Sequence, residues 1–83
     1  MVLMNNNKLK LLLVDVFNMS ELDYKDSNGP DDIEYWDSLA TVSMAVGIHE
    51  EFGHHMTPEE VSEIKNIGDI KSYLIKKGVS FQE

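Results

Sequence analysis

The chain has no cysteine, no arginine and no wholly aliphatic run longer than Leu11-Leu12-Leu13-Val14. Without cysteine there is no disulfide framework, no thiolate nucleophile and no thiolate metal site, so packing alone must stabilise the fold and a reducing cytoplasm suits it. Four aliphatic residues fall far short of the ~18 that a membrane span needs, and Met1-Val2-Leu3-Met4 running into three asparagines lacks a signal-peptide core. A soluble, cytoplasmic monomer is the expectation. Seven lysines face fifteen acids, a formal net charge of -8, which argues against nucleic acid or an anionic membrane as partner and in favour of basic protein surfaces. At 83 residues there is room for one domain and one core, and a deep enzyme cleft is improbable.

What is present is helical periodicity. Leu9, Leu12, Leu13, Val16 and Phe17 recur as one stripe of a helix running from about Asn6 to Asn18. A long polar connection follows from Met19 to Trp36, punctuated by Ser27-Asn28-Gly29-Pro30 and with room for one turn at Asp31 to Tyr35. Asp37 is placed to cap a second helix over Ser38 to Phe52, and Gly53 supplies the left-handed residue that ends it. Gly47 within that helix costs ~1 kcal/mol relative to alanine. Thr57-Pro58-Glu59-Glu60 has the form of a capping box opening a short third helix to Ile64. Asn66 and Asp69 start a fourth, with Ile70, Tyr73 and Leu74 at helical spacing and Lys76-Lys77-Gly78 closing it. No segment alternates as a strand does. The pattern predicts an all-α, four-helix bundle of three main helices and one short one, with a long loop between helices one and two, as a single domain over residues 1–83.

Helix two carries two apolar sets. Thr41, Met44, Ala45, Ile48 and Phe52 form a core-facing stripe; Leu39, Val42 and Val46 form a second, continued by Glu50. The second set is either buried under the long loop or left exposed as a docking surface, where desolvation supplies affinity and charge supplies steering. Residues 15–63 hold thirteen acids and one lysine, so the negative field surrounds this region.

Trp36-Asp37-Ser38-Leu39 opens a helix that closes with Glu50-Glu51-Phe52-Gly53, follows an amphipathic helix and a long loop, and precedes Asn66-Ile67-Gly68-Asp69-Ile70. In that frame the chain resembles the acyl carrier proteins along nearly its whole length. The resemblance implies that the Ser38 hydroxyl is joined to 4′-phosphopantetheine donated by coenzyme A through a phosphopantetheinyl transferase. It also implies that acyl groups are carried as thioesters on the imported thiol, and that the protein is not itself an enzyme. Asp37, Leu39, Val42, Val46 and Glu50 fall where the family docks on basic patches of acyl-loading and acyl-processing enzymes, and the bundle interior is where a bound chain would shelter. Trp36 before the motif, and Ala40, Ser43 and His49 where acids are common, depart from the fatty-acid-synthesis pattern. They look more like free-standing carriers of polyketide, nonribosomal peptide, lipid or cell-surface polysaccharide chemistry. The alternatives are an aminoacyl or peptidyl carrier and an unmodified acidic adaptor, in which Ser38 is only a first-turn serine helping Asp37.

Other constellations are weaker. His49-Glu50 begins like a zinc-protease helix, but Gly53 stands where the second histidine is needed, and His54 and His55 follow the helix stop and so fall off its face. Asp23 to Glu34 has the length of a calcium loop, yet Lys25 and Asn28 occupy positions that require an acid and a glycine. Asp31, Asp32 and Glu34 have nothing nearby to raise a carboxyl pKa for acid catalysis. Tyr35 and Trp36 are expected to pack the loop against helix two.

Overall fold

The computed structural model describes residues 5–81. Within them the chain is all-helical: α1 (Asn5–Val16), α2 (Ser38–Phe52), the short α3 (Pro58–Ser62) and α4 (Ile67–Lys76), with one turn of 3-10 helix at Glu21–Asp23 and no strand among the described residues. None of these helices is long and apolar enough to cross a membrane. The Met1-Val2-Leu3-Met4 segment lies outside the described residues.

Side-chain chemistry sets the helix starts. The Asp37 carboxylate accepts from the Ala40 amide at 2.9 Å, and the Asn66 side chain accepts from the Asp69 amide at 2.8 Å. At α3, the Glu60 amide donates to the Thr57 hydroxyl at 3.2 Å while the Thr57 amide donates back to the Glu60 carboxylate at 2.8 Å, a complete capping box. Gly53 at φ 75° ends α2 in the left-handed region. Two ends fall short of their expected places. Helix α1 stops at Val16, because Asn18 turns to φ 48° and the Met19 amide reaches back to the Val14 carbonyl. Helix α3 stops at Ser62 rather than Ile64.

One core joins the helices: Leu9, Leu13 and Phe17 from the α1 side, Met44 and Ile48 from α2, and Ile67, Ile70 and Leu74 from α4 are all fully buried. Each such side chain contributes about 1.5–3 kcal/mol on leaving water. The core face of α2 is rotated relative to the expected stripe. Met44 and Ile48 are central to it, but Ala40 and Gly47 are buried beside them, and Thr41, Ala45 and Phe52 are only half-buried. Gly47 explains part of the rotation: a β-carbon there would press on the Leu12 side chain, so α1 and α2 approach closely at that point.

The connection between α1 and α2 is more ordered than a loop with a single turn. Ser20 caps the 3-10 turn by accepting from the Leu22 amide, Tyr24 donates its hydroxyl to the Asn6 side chain at 2.7 Å, and turns recur at residues 30–32 and 34–35. Its middle is fastened to the start of α4. The Ile67 amide donates to the Asn28 carbonyl at 3.0 Å and the Gly68 amide to the Asp26 carbonyl at 2.9 Å, occupying two first-turn donors that the helix itself cannot satisfy. Lys71 closes the same junction with a 2.6 Å ion pair to Asp26. Gly29 lies buried there, with its α-carbon so close to the Lys65 carbonyl that no β-carbon fits. Across the molecule, the Asn5 side-chain amide donates to the Ser80 carbonyl at 2.7 Å and joins the beginning of α1 to the segment after α4.

Candidate functional site

Trp36 reaches the core through the connection. It is buried and stacks on Phe17, with centroids 4.4 Å apart and planes 11° from parallel, so the end of the loop is held where α2 begins. Tyr35 does not share that role; its side chain is exposed, which corrects the expectation that both aromatics pack. Ser38 is the first residue of α2, and it is exposed. Because Asp37 does the capping, the Ser38 hydroxyl is not needed for it, and the Ser38 and Leu39 amides make no hydrogen bond among the described residues. Two free N–H groups and the positive end of the helix dipole therefore stand beside an accessible hydroxyl, a setting that favours negative charge.

Leu39, Val42 and Val46 are 72%, 61% and 54% exposed, and Glu50 follows them on the surface. Burial under the loop is thus overturned: the connection runs to α4 instead, and this apolar stripe faces solvent.

A groove of about 880 Å³ opens between α2 and α3. Along α2 it is lined by Ser38, Thr41, Val42, Ala45, Val46 and His49, spaced i, i+3, i+4, i+7, i+8 and i+11 as a single helical face. Met56, Pro58 and Val61 form the opposite wall. Open space next to Ser38 therefore lies in this groove. The groove draws from both apolar sets of α2, which is why neither set alone revealed it.

His55 also lines the groove, against expectation. After Gly53 the chain doubles back, so the His55 ring meets the His49 ring edge to face at 5.6 Å between centroids. The Tyr73 hydroxyl donates to the His55 carbonyl at 3.1 Å and holds this segment down; burial pushes the Tyr73 phenol above its ordinary pKa, with the Glu60 charge adding to the effect. Among the described residues no three histidine, aspartate or glutamate side chains gather as metal ligands.

No protein-family model matches the chain, and no curated protein matches it either.

The wall supplied by α3 depends on its capping box. The Thr57 backbone N–H, opposed by partial desolvation and aided by the Thr57 hydroxyl and Lys77, holds the Glu60 carboxyl below the usual glutamate range. A lowered folded-state pKa means that this contribution is complete above the unfolded glutamate value and is lost as pH falls through the folded one. In an acid titration followed by amide NMR, the Thr57 and Glu60 signals are expected to move together below the ordinary glutamate range. Independent midpoints for the two would remove the coupling.

Proposed function

We propose that this chain is a carrier of the acyl carrier type, modified on Ser38 with 4′-phosphopantetheine. The observation that carries the proposal is the placement of an exposed hydroxyl at the first residue of a helix capped by its neighbour, opening onto an apolar groove. The residues present fit the group: the Ser38 hydroxyl would attach it, the Ser38 and Leu39 amides would be donors available to its phosphate, and the groove would give room for what it bears. When bound, it supplies a thiol on which an acyl group is held as a thioester. The chain's own part is to present that group, orient it and release it to successive partners, which makes it a carrier and not a catalyst.

Incubation with coenzyme A and a broad-specificity phosphopantetheinyl transferase is expected to add the mass of one phosphopantetheine. No gain in intact mass leaves the unmodified acidic adaptor as the reading. The departure from the fatty-acid pattern at Trp36, Ala40, Ser43 and His49 supports a dedicated acyl pathway, with an aminoacyl or peptidyl cargo as the variant to be distinguished by the loading enzyme.

Docking is expected to use Asp37, Leu39, Val42, Val46 and Glu50 against a basic patch, in a small interface steered by charge. Val46→Arg and Glu50→Lys should each lower kcat/KM for transferase loading about tenfold while the helical circular dichroism stays unchanged. Loading should also slow as salt rises. A flat salt response together with unaltered loading of both variants would place docking elsewhere.

A further inference from the structure

We infer that His49 and His55 form a polar terminus to the groove that selects short acyl groups bearing an oxygen substituent, a hydroxyl or a carboxylate, over plain alkyl chains. The inference rests on the carrier reading and adds the class of cargo.

Ser38 and His49 line the same groove and stand 49 − 38 = 11 residues apart on α2. At the α-helical rise that separation is about 16 Å, a span of the same order as an extended phosphopantetheine. A group attached at Ser38 and laid along the groove therefore passes apolar side chains, Val42, Val46, Met56 and Val61, and presents its acyl end to the two imidazoles. Neither imidazole makes a hydrogen bond among the described residues, and each neutral ring offers one N–H donor and one acceptor nitrogen. Both rings are exposed, and the backbone that carries each is held, His49's by its helix and His55's by the Tyr73 hydroxyl on its carbonyl and by the adjacent buried Met56. Rings on a fixed backbone lose less freedom on binding than rings on a mobile one, which favours selectivity.

Long alkyl cargo lacks a matching place. Beneath the groove Met44 and Ile48 are fully buried, so a chain extending past the imidazoles either enters water or displaces the core. An oxygen-bearing group of a few carbons gains a hydrogen bond at the point where an alkyl chain gains nothing.

The test uses the full chain, loaded by the transferase from acetyl-, octanoyl-, 3-hydroxybutyryl- and succinyl-coenzyme A, with intact mass confirming each loading. Imidazole and methyl NMR signals are then compared across the four forms. The hydroxybutyryl and succinyl forms are expected to shift the His49 and His55 ring signals beyond the acetyl form, leaving the Leu13 and Ile70 methyls in place. Each of these two thioesters should hydrolyse about fivefold more slowly on the unmutated chain than on the chain carrying His49→Leu and His55→Leu, the worth of one ordinary hydrogen bond, while the acetyl thioester hydrolyses alike on both. Comparing each cargo with itself cancels the attack of the succinyl carboxylate on its own thioester, and the double variant should load as well as the unmutated chain. Unmoved imidazole signals in the unmutated chain, or octanoyl loading that shifts Leu13 and Ile70, would overturn the inference and leave the carrier reading standing. Failure of every thioester to load removes the carrier reading, and this inference with it.

Discussion

Ser38→Ala is expected to gain no mass from coenzyme A and transferase, a complete loss, while Ser43→Ala on the same helix gains as much as the unmutated chain. The two serines differ in place rather than exposure, since both are on the surface of α2. Only Ser38 stands in its first turn, beside free amides and at the mouth of the groove. The loss should not come from unfolding. The cap of α2 is the Asp37 carboxylate on the Ala40 amide, and removing an exposed hydroxyl that caps nothing changes stability by no more than about 0.5 kcal/mol. Full modification of the alanine variant, or modification traced by fragmentation to another residue, would end the assignment.

Gly29→Ala is expected to destabilise the fold by about 3 kcal/mol, combining overpacking with loss of backbone hydrogen bonds at the junction. The conflict is steric: φ at Gly29 is not in the left-handed region, and the added β-carbon meets the Lys65 carbonyl, which is backbone and has little freedom to move. Relief requires the loop to lift from α4, releasing the Ile67 and Gly68 amides from the Asn28 and Asp26 carbonyls. In a chain of this size the melting temperature should fall by about 15 °C. Amide exchange should accelerate first at Ile67 and Gly68. An unchanged melting temperature would mean that the loop is not pinned at this point. Gly53→Ala provides a contrast, because open space surrounds Gly53 and its strain is conformational only, at φ 75°. Its penalty should therefore be the smaller of the two, about 1 kcal/mol.

The features legible in the sequence were those decided by neighbours along the chain. Asp37, Thr57 and Asn66 cap helices through hydrogen bonds reaching three residues onward, so residue type and spacing suffice to find them. The bounds of α2 follow from Asp37 and Gly53 for the same reason. Features that depend on what packs opposite were less visible. Thr41 and Ala45 look like core residues by periodicity, yet they border the groove because α3 stands off from α2 there. Gly29 reads as turn punctuation, and only the folded chain shows that it is small because another backbone passes against it. His55 falls off the α2 face by counting along a helix, but the chain reverses after Gly53 and returns it to His49. A signal for the groove did exist, in the i, i+3, i+4, i+7, i+8, i+11 spacing from Ser38 to His49. It was hidden because sorting α2 by polarity divided that face between two sets.

The bond from Asn5 to Ser80 brings the two extremities of the described chain to one corner. Residues 5–81, which keep Phe81 packed against the core, can thus be grafted into an exposed turn of an unrelated host with the two splice points close together, so the host's own strands or helices need not be prised apart to receive them. A partner fused at either extremity hangs from that same corner, as a pendant from a single link.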